Sequence, residues 1–296
     1  MGNQKIKTDF RAKQTIMILL LTISVFVISC VENPFWDDNI SSNDRQVVEG
    51  VIGLNDDSRP DSVLVWLEGF DLAQKTNKLG EFKHEIPLAS EQPGGGLNGV
   101  YYLYSYLGNY RLESRPLLVL DGQFDYGQSG IDDRGKISEE IILKKLLHIK
   151  TSIVPAEIST NIYVKFEITI ELENAVDSVQ IMTYLDANNY FGSIIFRHMS
   201  VDGDAIFIRD PGAGYVSLMI TELNRWTISF SMDGGFFTPG QYEVIPFLNV
   251  VQDEDSIPPG LMKNFGFNAD GFEPDYLNVP FKREAAILTV KNPTQF

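Results

Sequence analysis

The chain has 296 residues but a single cysteine, Cys30, and only three histidines. With one thiol no intramolecular disulfide can form, so a folded part must rest on an ordinary apolar core. His84, His148 and His198 stand far apart, and no His-Glu-x-x-His zinc motif occurs. Gly-x-Ser-x-Gly is absent too, because Gly127-Gln128-Ser129-Gly130 is one residue short of it. Gly94-Gly95-Gly96 lacks the Gly-Lys-Ser/Thr that a phosphate-cradling loop requires. Positive charge is scarce: 24 basic residues face 40 acidic ones, a net of −16. Phosphate backbones are held by cations, so nucleic-acid binding is excluded.

What is present begins at the N-terminus. Lys5, Lys7, Arg11 and Lys13 precede an apolar run, Ile16 to Ile28, interrupted only by Thr22 and Ser24. A membrane-spanning helix needs about 20 apolar residues, and this run is shorter. Small Ser29 then precedes Cys30. This order is that of an export signal. The run Val27-Ile28-Ser29-Cys30 resembles the lipobox of bacterial lipoproteins. The resemblance implies diacylglycerol on the Cys30 sulfur, cleavage before Cys30 and a fatty acid such as palmitate on the new amino group. Two or more acyl chains hold a protein firmly to a bilayer, at about 0.8 kcal/mol per buried methylene. By resemblance to Gram-negative lipoprotein sorting, Val31, where an aspartate would signal inner-membrane retention, implies outer-membrane placement. Loss of residues 1–29 would leave 20 basic against 39 acidic residues, a net of −19. Residues 30–45, polar and without a sustained period, read as a lipidated tether, with Phe35 and Trp36 available to the membrane interface or to the first domain.

Beyond the tether the dominant signal is alternation. Ile162, Val164, Phe166, Ile168, Ile170 and Leu172 alternate with Tyr163, Lys165, Glu167, Thr169, Glu171 and Glu173. Trp226, Ile228, Phe230 and Met232 alternate with Thr227, Ser229 and Ser231, and Val63, Val65 and Leu67 do the same earlier. A period of two is a half-buried strand. Asn55-Asp56-Asp57, Asp202-Gly203, Asp233-Gly234-Gly235, Pro239-Gly240 and Asp270-Gly271 supply the turns. Short strands broken in this way predict sandwiches. Ser138 to Leu147 fits a helix or a strand, and Pro246 predicts an edge strand or a break. Two domains are expected, 46–149 and 150–296.

Residues 47–87 carry a recognisable spacing: Val48-x-Gly50-x-Ile52, then Pro60-Asp61-Ser62-Val63-Leu64-Val65-x-Leu67-x-Gly69, Thr76-x-x-x-Gly80-x-Phe82 and Ile86-Pro87. This resembles the carboxypeptidase regulatory-like domain, a transthyretin-like β-sandwich. Leu79 departs from the pattern, where Asp or Asn commonly precedes the glycine. The resemblance implies a non-catalytic spacer or docking module. The second domain shows only an immunoglobulin-like pattern of strands.

Three sets of residues are candidates for a site. Tyr102, Tyr104 and Tyr106 recur at strand alternation and form either a stacking row for sugars or a cross-strand ladder. Asn268, Asp270, Glu273 and Asp275 around Gly271, and Asp202 with Asp204 around Gly203, offer oxygen ligands to Ca²⁺, although neither set has the helix-loop-helix spacing. The expectation is an all-β, lipid-anchored envelope protein without catalytic activity, serving as a structural or protein-interaction module. The alternative is a glycan-binding surface lipoprotein. The third reading, a carboxylate-based hydrolase, would need two carboxyls about 5–9 Å apart in a cleft.

Overall fold

The alternating runs form strands. A computed structural model describes residues 44–200, 205–252 and 257–292, so the segment with Cys30, Phe35 and Trp36, the Asp202/Asp204 pair and Asp253-Glu254-Asp255 lie outside the described residues. The first part contains β1 (Val47–Leu54), β2 (Leu64–Leu67), β3 (Leu72–Lys75), β4 (Glu81–Glu85), β5 (Gly99–Tyr106), β6 (Glu113–Leu120), β7 (Gln123–Phe124) and β8 (Ile141–Leu143). Sheet β4-β1-β8 packs on sheet β3-β2-β5-β6-β7. Between them lies a core that includes Val48, Ile52, Val65, Leu67, Phe82, Leu103, Leu117 and Phe124. Each such fully buried side chain contributes about 1.5–3 kcal/mol.

The second part contains β9 (Leu147–Val154), β10 (Glu157–Ser159), β11 (Tyr163–Asn174), β12 (Val179–Leu185), β13 (Ser193–His198), β14 (Ala205–Arg209), β15 (Gly214–Ile220), β16 (Asn224–Asp233), β17 (Gly240–Pro246), β18 (Asn249–Val250), the short helix α1 (Pro259–Lys263) and β19 (Ala286–Lys291). Sheets β16-β11-β9, β10-β19-β17-β13-β14 and β15-β12-β18 enclose a second core that includes Phe166, Ile168, Ile170, Leu172, Phe196 and Val244. The fold is all-β and sandwich-like. Ser138 to Leu147 holds β8 and the start of β9 rather than a helix. Pro246 ends β17, which lies between β13 and β19, so it acts as a break and not as an edge. The chain then changes sheet and resumes as β18.

From Arg45 onward the chain groups as one unit. Residue 150 falls inside β9, and the change of core comes just before it, between Leu143 and Leu146. The segment after β18 then returns to the first part: Leu261, Phe265, Ala269 and Val279 pack on Leu64, Trp66, Tyr106 and Leu112. That is why all four residues of β2 are buried although only alternate ones face the first core. Asn109, fully buried, locks the junction. Its amide nitrogen donates to the carbonyls of Leu147 (2.9 Å) and Lys282 (2.8 Å), and its oxygen accepts from the Lys282 N–H (3.0 Å). Among the described residues no helix is long and apolar enough to cross a membrane.

Candidate functional site

Strand β5 has two faces with different fates. Leu103 and Ser105 point into the first core, followed by Leu107 just past the strand, while Val100, Tyr102, Tyr104 and Tyr106 point to the outer face of the sheet. Exposure falls along that outer row, from 56% at Val100 and 40% at Tyr102 to half-buried Tyr104 and 4% at Tyr106. The cause is the returning C-terminal segment, whose Phe265 ring sits 5.7 Å from that of Tyr106. Burial raises the Tyr106 phenol well above its ordinary range, and nearby Tyr276 adds to the shift. Trp66 stacks on Tyr104 at 5.6 Å, with the Trp66 indole N–H donating to Asp71 (3.1 Å), and Tyr102 follows 6.0 Å from Tyr104.

The three tyrosines therefore do not form an open stacking row. Tyr106 is core, Tyr104 is half covered, and Tyr102 alone is open. The cover comes from residues more than 150 positions away, which alternation within β5 cannot report. What lies open beside Tyr102 is apolar. Antiparallel pairing sets Pro116 opposite Tyr102 and Leu118 opposite Val100, and Leu120, 48% exposed, continues that row on β6. Sequence reasoning passed over Val100, Leu118 and Leu120; the available signal was Val100, in phase with the tyrosines.

The acidic candidates behave differently. Asp275 accepts a hydrogen bond from the Asn268 N–H (3.2 Å), and the Asp270 carbonyl accepts from Asn249 (2.6 Å). Among the described residues no three His, Cys, Asp or Glu side chains converge as a metal site, so Asn268, Asp270, Glu273 and Asp275 share a loop without forming a cage. Asp132 is held below the usual carboxylate range by the N–H groups of Lys136 and Arg134, at 2.8 and 2.9 Å. Ser129 accepts from the Leu118 N–H (2.9 Å) and braces β6.

The histidines are packing residues or surface. His84 is buried with a ring nitrogen 3.2 Å from the Val65 carbonyl, His198 lies edge-on to Tyr242 at 4.8 Å, and His148 is exposed. One partly buried polar cluster stands out at the first part's end. Lys145 meets Asp56 at 2.5 Å, and Asp56 also accepts from Ser58 (2.9 Å) and Tyr110 (3.0 Å). Burial alone would raise the Asp56 pKa, but these hydrogen bonds together outweigh it and the net shift is downward. The cluster ties the bend after β1 to Tyr110 and Lys145, and Ser58 and Lys145 line a shallow cleft of about 460 Å³ with His148, Glu171 and Lys282.

No protein-family model matches the chain, and no curated protein matches it. Among solved structures, the Bacillus anthracis TIE protein aligns over 70% of this chain and 48% of its own, at 5% identity and a TM-score of 0.22. The chain thus spans about half the length of that protein, and a likeness so slight carries no argument.

Proposed function

We propose that the chain is a lipid-anchored protein of the bacterial cell envelope, placed at the outer membrane, and that it acts as a non-catalytic docking module. The observation that carries the docking reading is the open end of the β5–β6 face, where Val100, Tyr102, Pro116, Leu118 and Leu120 lie side by side beyond the cover of the C-terminal segment. Apolar groups left contiguous on a surface, with a half-exposed aromatic among them, mark protein contact sites. The lipobox-like run ending at Cys30 supports the anchor. The resemblance of residues 47–87 to the carboxypeptidase regulatory-like domain supports a spacer or docking role, and the second part is read as immunoglobulin-like.

A second reading keeps a glycan as ligand, because Tyr102 is backed by the Tyr104–Trp66 stack and offers one open ring to a sugar. One experiment separates these. The full chain carries a photo-reactive residue at Val100, Leu120 or, as a control on the opposite part, Lys165, in host cells fed labelled palmitate. The docking reading expects label in the chain, its loss in Cys30→Ser, and a discrete protein adduct from Val100 and Leu120 only. Adducts that are absent, or equal at Lys165, overturn docking. Retention on glycans that Tyr102→Ala abolishes would install the second reading.

A further inference from the structure

Strand β16 is the last strand of its sheet, and among the described residues nothing pairs with its outer edge. It runs in unbroken register with β11 from Tyr163 opposite Asp233 to Leu172 opposite Asn224. The Gly234 N–H donates to the Ile162 carbonyl at 2.9 Å, which fixes the phase of the ladder. Even-numbered residues of β16 bond to β11, while Arg225, Thr227, Ser229 and Ser231 turn their N–H and C=O outward, the Ser231 carbonyl accepting a long hydrogen bond from the exposed Tyr163 hydroxyl (3.4 Å) that a pairing strand would displace. Exposed edges are normally blunted by proline, a bulge, brevity or a charge in the strand. The stretch Trp226-Thr227-Ile228-Ser229-Phe230-Ser231-Met232 has none of these. Its inward side chains are also unfinished. Trp226, Ile228, Phe230 and Met232 are only half buried, and a cleft of about 580 Å³ opens from Ile228 and Phe230 toward Ile194 and Ile208.

We propose that this edge is completed by a second copy of the chain, with β16 pairing antiparallel to itself and Ser229 facing Ser229 across the twofold axis. The strand is complementary to its own reverse in that register. Thr227 falls opposite Ser231, Ile228 opposite Phe230 and Trp226 opposite Met232. Arg225 falls opposite Asp233 at both ends. A shift of one residue sets polar against apolar and mismatches the free hydrogen-bonding groups. A shift of two keeps the faces but loses both ion pairs. The charged ends are accessible: the Arg225 side chain is 61% exposed and bonds Glu171 at 2.6 Å, and Asp233 spends one oxygen on the Gly235 N–H (2.9 Å), the other having no partner among the described residues. Such an interface is isologous, so it closes at two copies, and the two three-stranded sheets become one of six. It lies on the second core, away from the docking face of β5 and β6, and stands or falls independently of that reading.

The test uses the full-length chain. In the proposed register the Ser229 Cα atoms sit about 5.5 Å apart, within disulfide reach. Ser229→Cys should give disulfide-linked dimers under mild oxidation, several-fold above wild type, whose one cysteine, Cys30, is held as a thioether in the lipobox reading. Thr227→Cys and Ser231→Cys should cross-link with each other when mixed and not alone. Thr227→Pro removes an outward N–H and no bond to β11, so it should yield a folded monomer by circular dichroism and sedimentation. Arg225→Asp should weaken the dimer several-fold, and adding Asp233→Arg should restore it. A wild-type chain that sediments as a monomer, Ser229→Cys cross-linking no better than wild type, or cross-linking to a different protein overturns the proposal.

Discussion

At the scale of one residue, His84 shows how placement sets chemistry. The sequence offers a lone histidine in an alternating run; the structure seals it against Phe82, with the Val65 carbonyl as its polar contact. Burial lowers its pKa below the ordinary 6.5, and the hydrogen bond to Val65 only partly opposes this. The unfolded chain therefore binds a proton more readily than the folded one. Its share of stability is complete above about pH 6.5, declines as pH falls below that value, and levels once the folded-state pKa is passed. Comparing urea unfolding at pH 7.5 and 5.5 should show wild type losing more stability than His84→Gln, which keeps a donor but no titrating ring. Equal losses would mean that His84 is not buried as described.

At the scale of elements, the β3–β4 turn shows how a motif's missing residue is made good by a neighbour. Leu79 occupies the position where Asp or Asn was expected, and it is 69% exposed. The turn is instead organised by Asn77, whose side-chain oxygen accepts from the N–H groups of Leu79 (2.9 Å) and Glu81 (3.0 Å). Thr76 closes it from beneath by donating to the Pro60 carbonyl (2.6 Å) and accepting from the Val63 N–H (3.0 Å). Gly80 follows at a φ of +80°, where an added Cβ would lie 2.1 Å from the Ile52 carbonyl oxygen. The left-handed conformation and the clash together should make Gly80→Ala destabilising by about 2–4 kcal/mol, read as a lower urea midpoint at unchanged slope. A neutral result would remove glycine from the account of this turn. Strands β11 and β16 were legible because period two is a local property, and every inward residue from Val164 to Leu172 is buried. The outer faces of β2 and β5 were not, since what covers them is distant in the chain and has no period: a five-residue helix followed by turns.

At the scale of the whole molecule, the two cores are consecutive in sequence but stitched by a segment that doubles back. The stitch is both apolar and polar. Phe265 and Leu261 cap Trp66 and Tyr106, the Gly108 N–H donates to the Pro280 carbonyl (2.7 Å), Lys282 pairs with Asp61 (2.7 Å), and Gln252 bonds the Leu112 N–H (2.8 Å) and the Tyr110 carbonyl (3.1 Å). Asn109 sits at its centre with both amide atoms engaged. Removing that side chain leaves buried backbone groups unpaired at about 1–3 kcal/mol each, so Asn109→Ala should cost about 3–5 kcal/mol in all. Because the loss falls at the seam and not in either core, its signature is cooperativity. Wild type should melt in one calorimetric transition, with van't Hoff and calorimetric enthalpies in agreement. Asn109→Ala combined with Phe265→Ala should melt in two, each core keeping its own transition. If wild type already melts in two steps, the returning segment does not couple the cores. The same cover that hides Tyr106 would then be loose enough to expose it, and the boundary of the open face at Tyr102 would have to move.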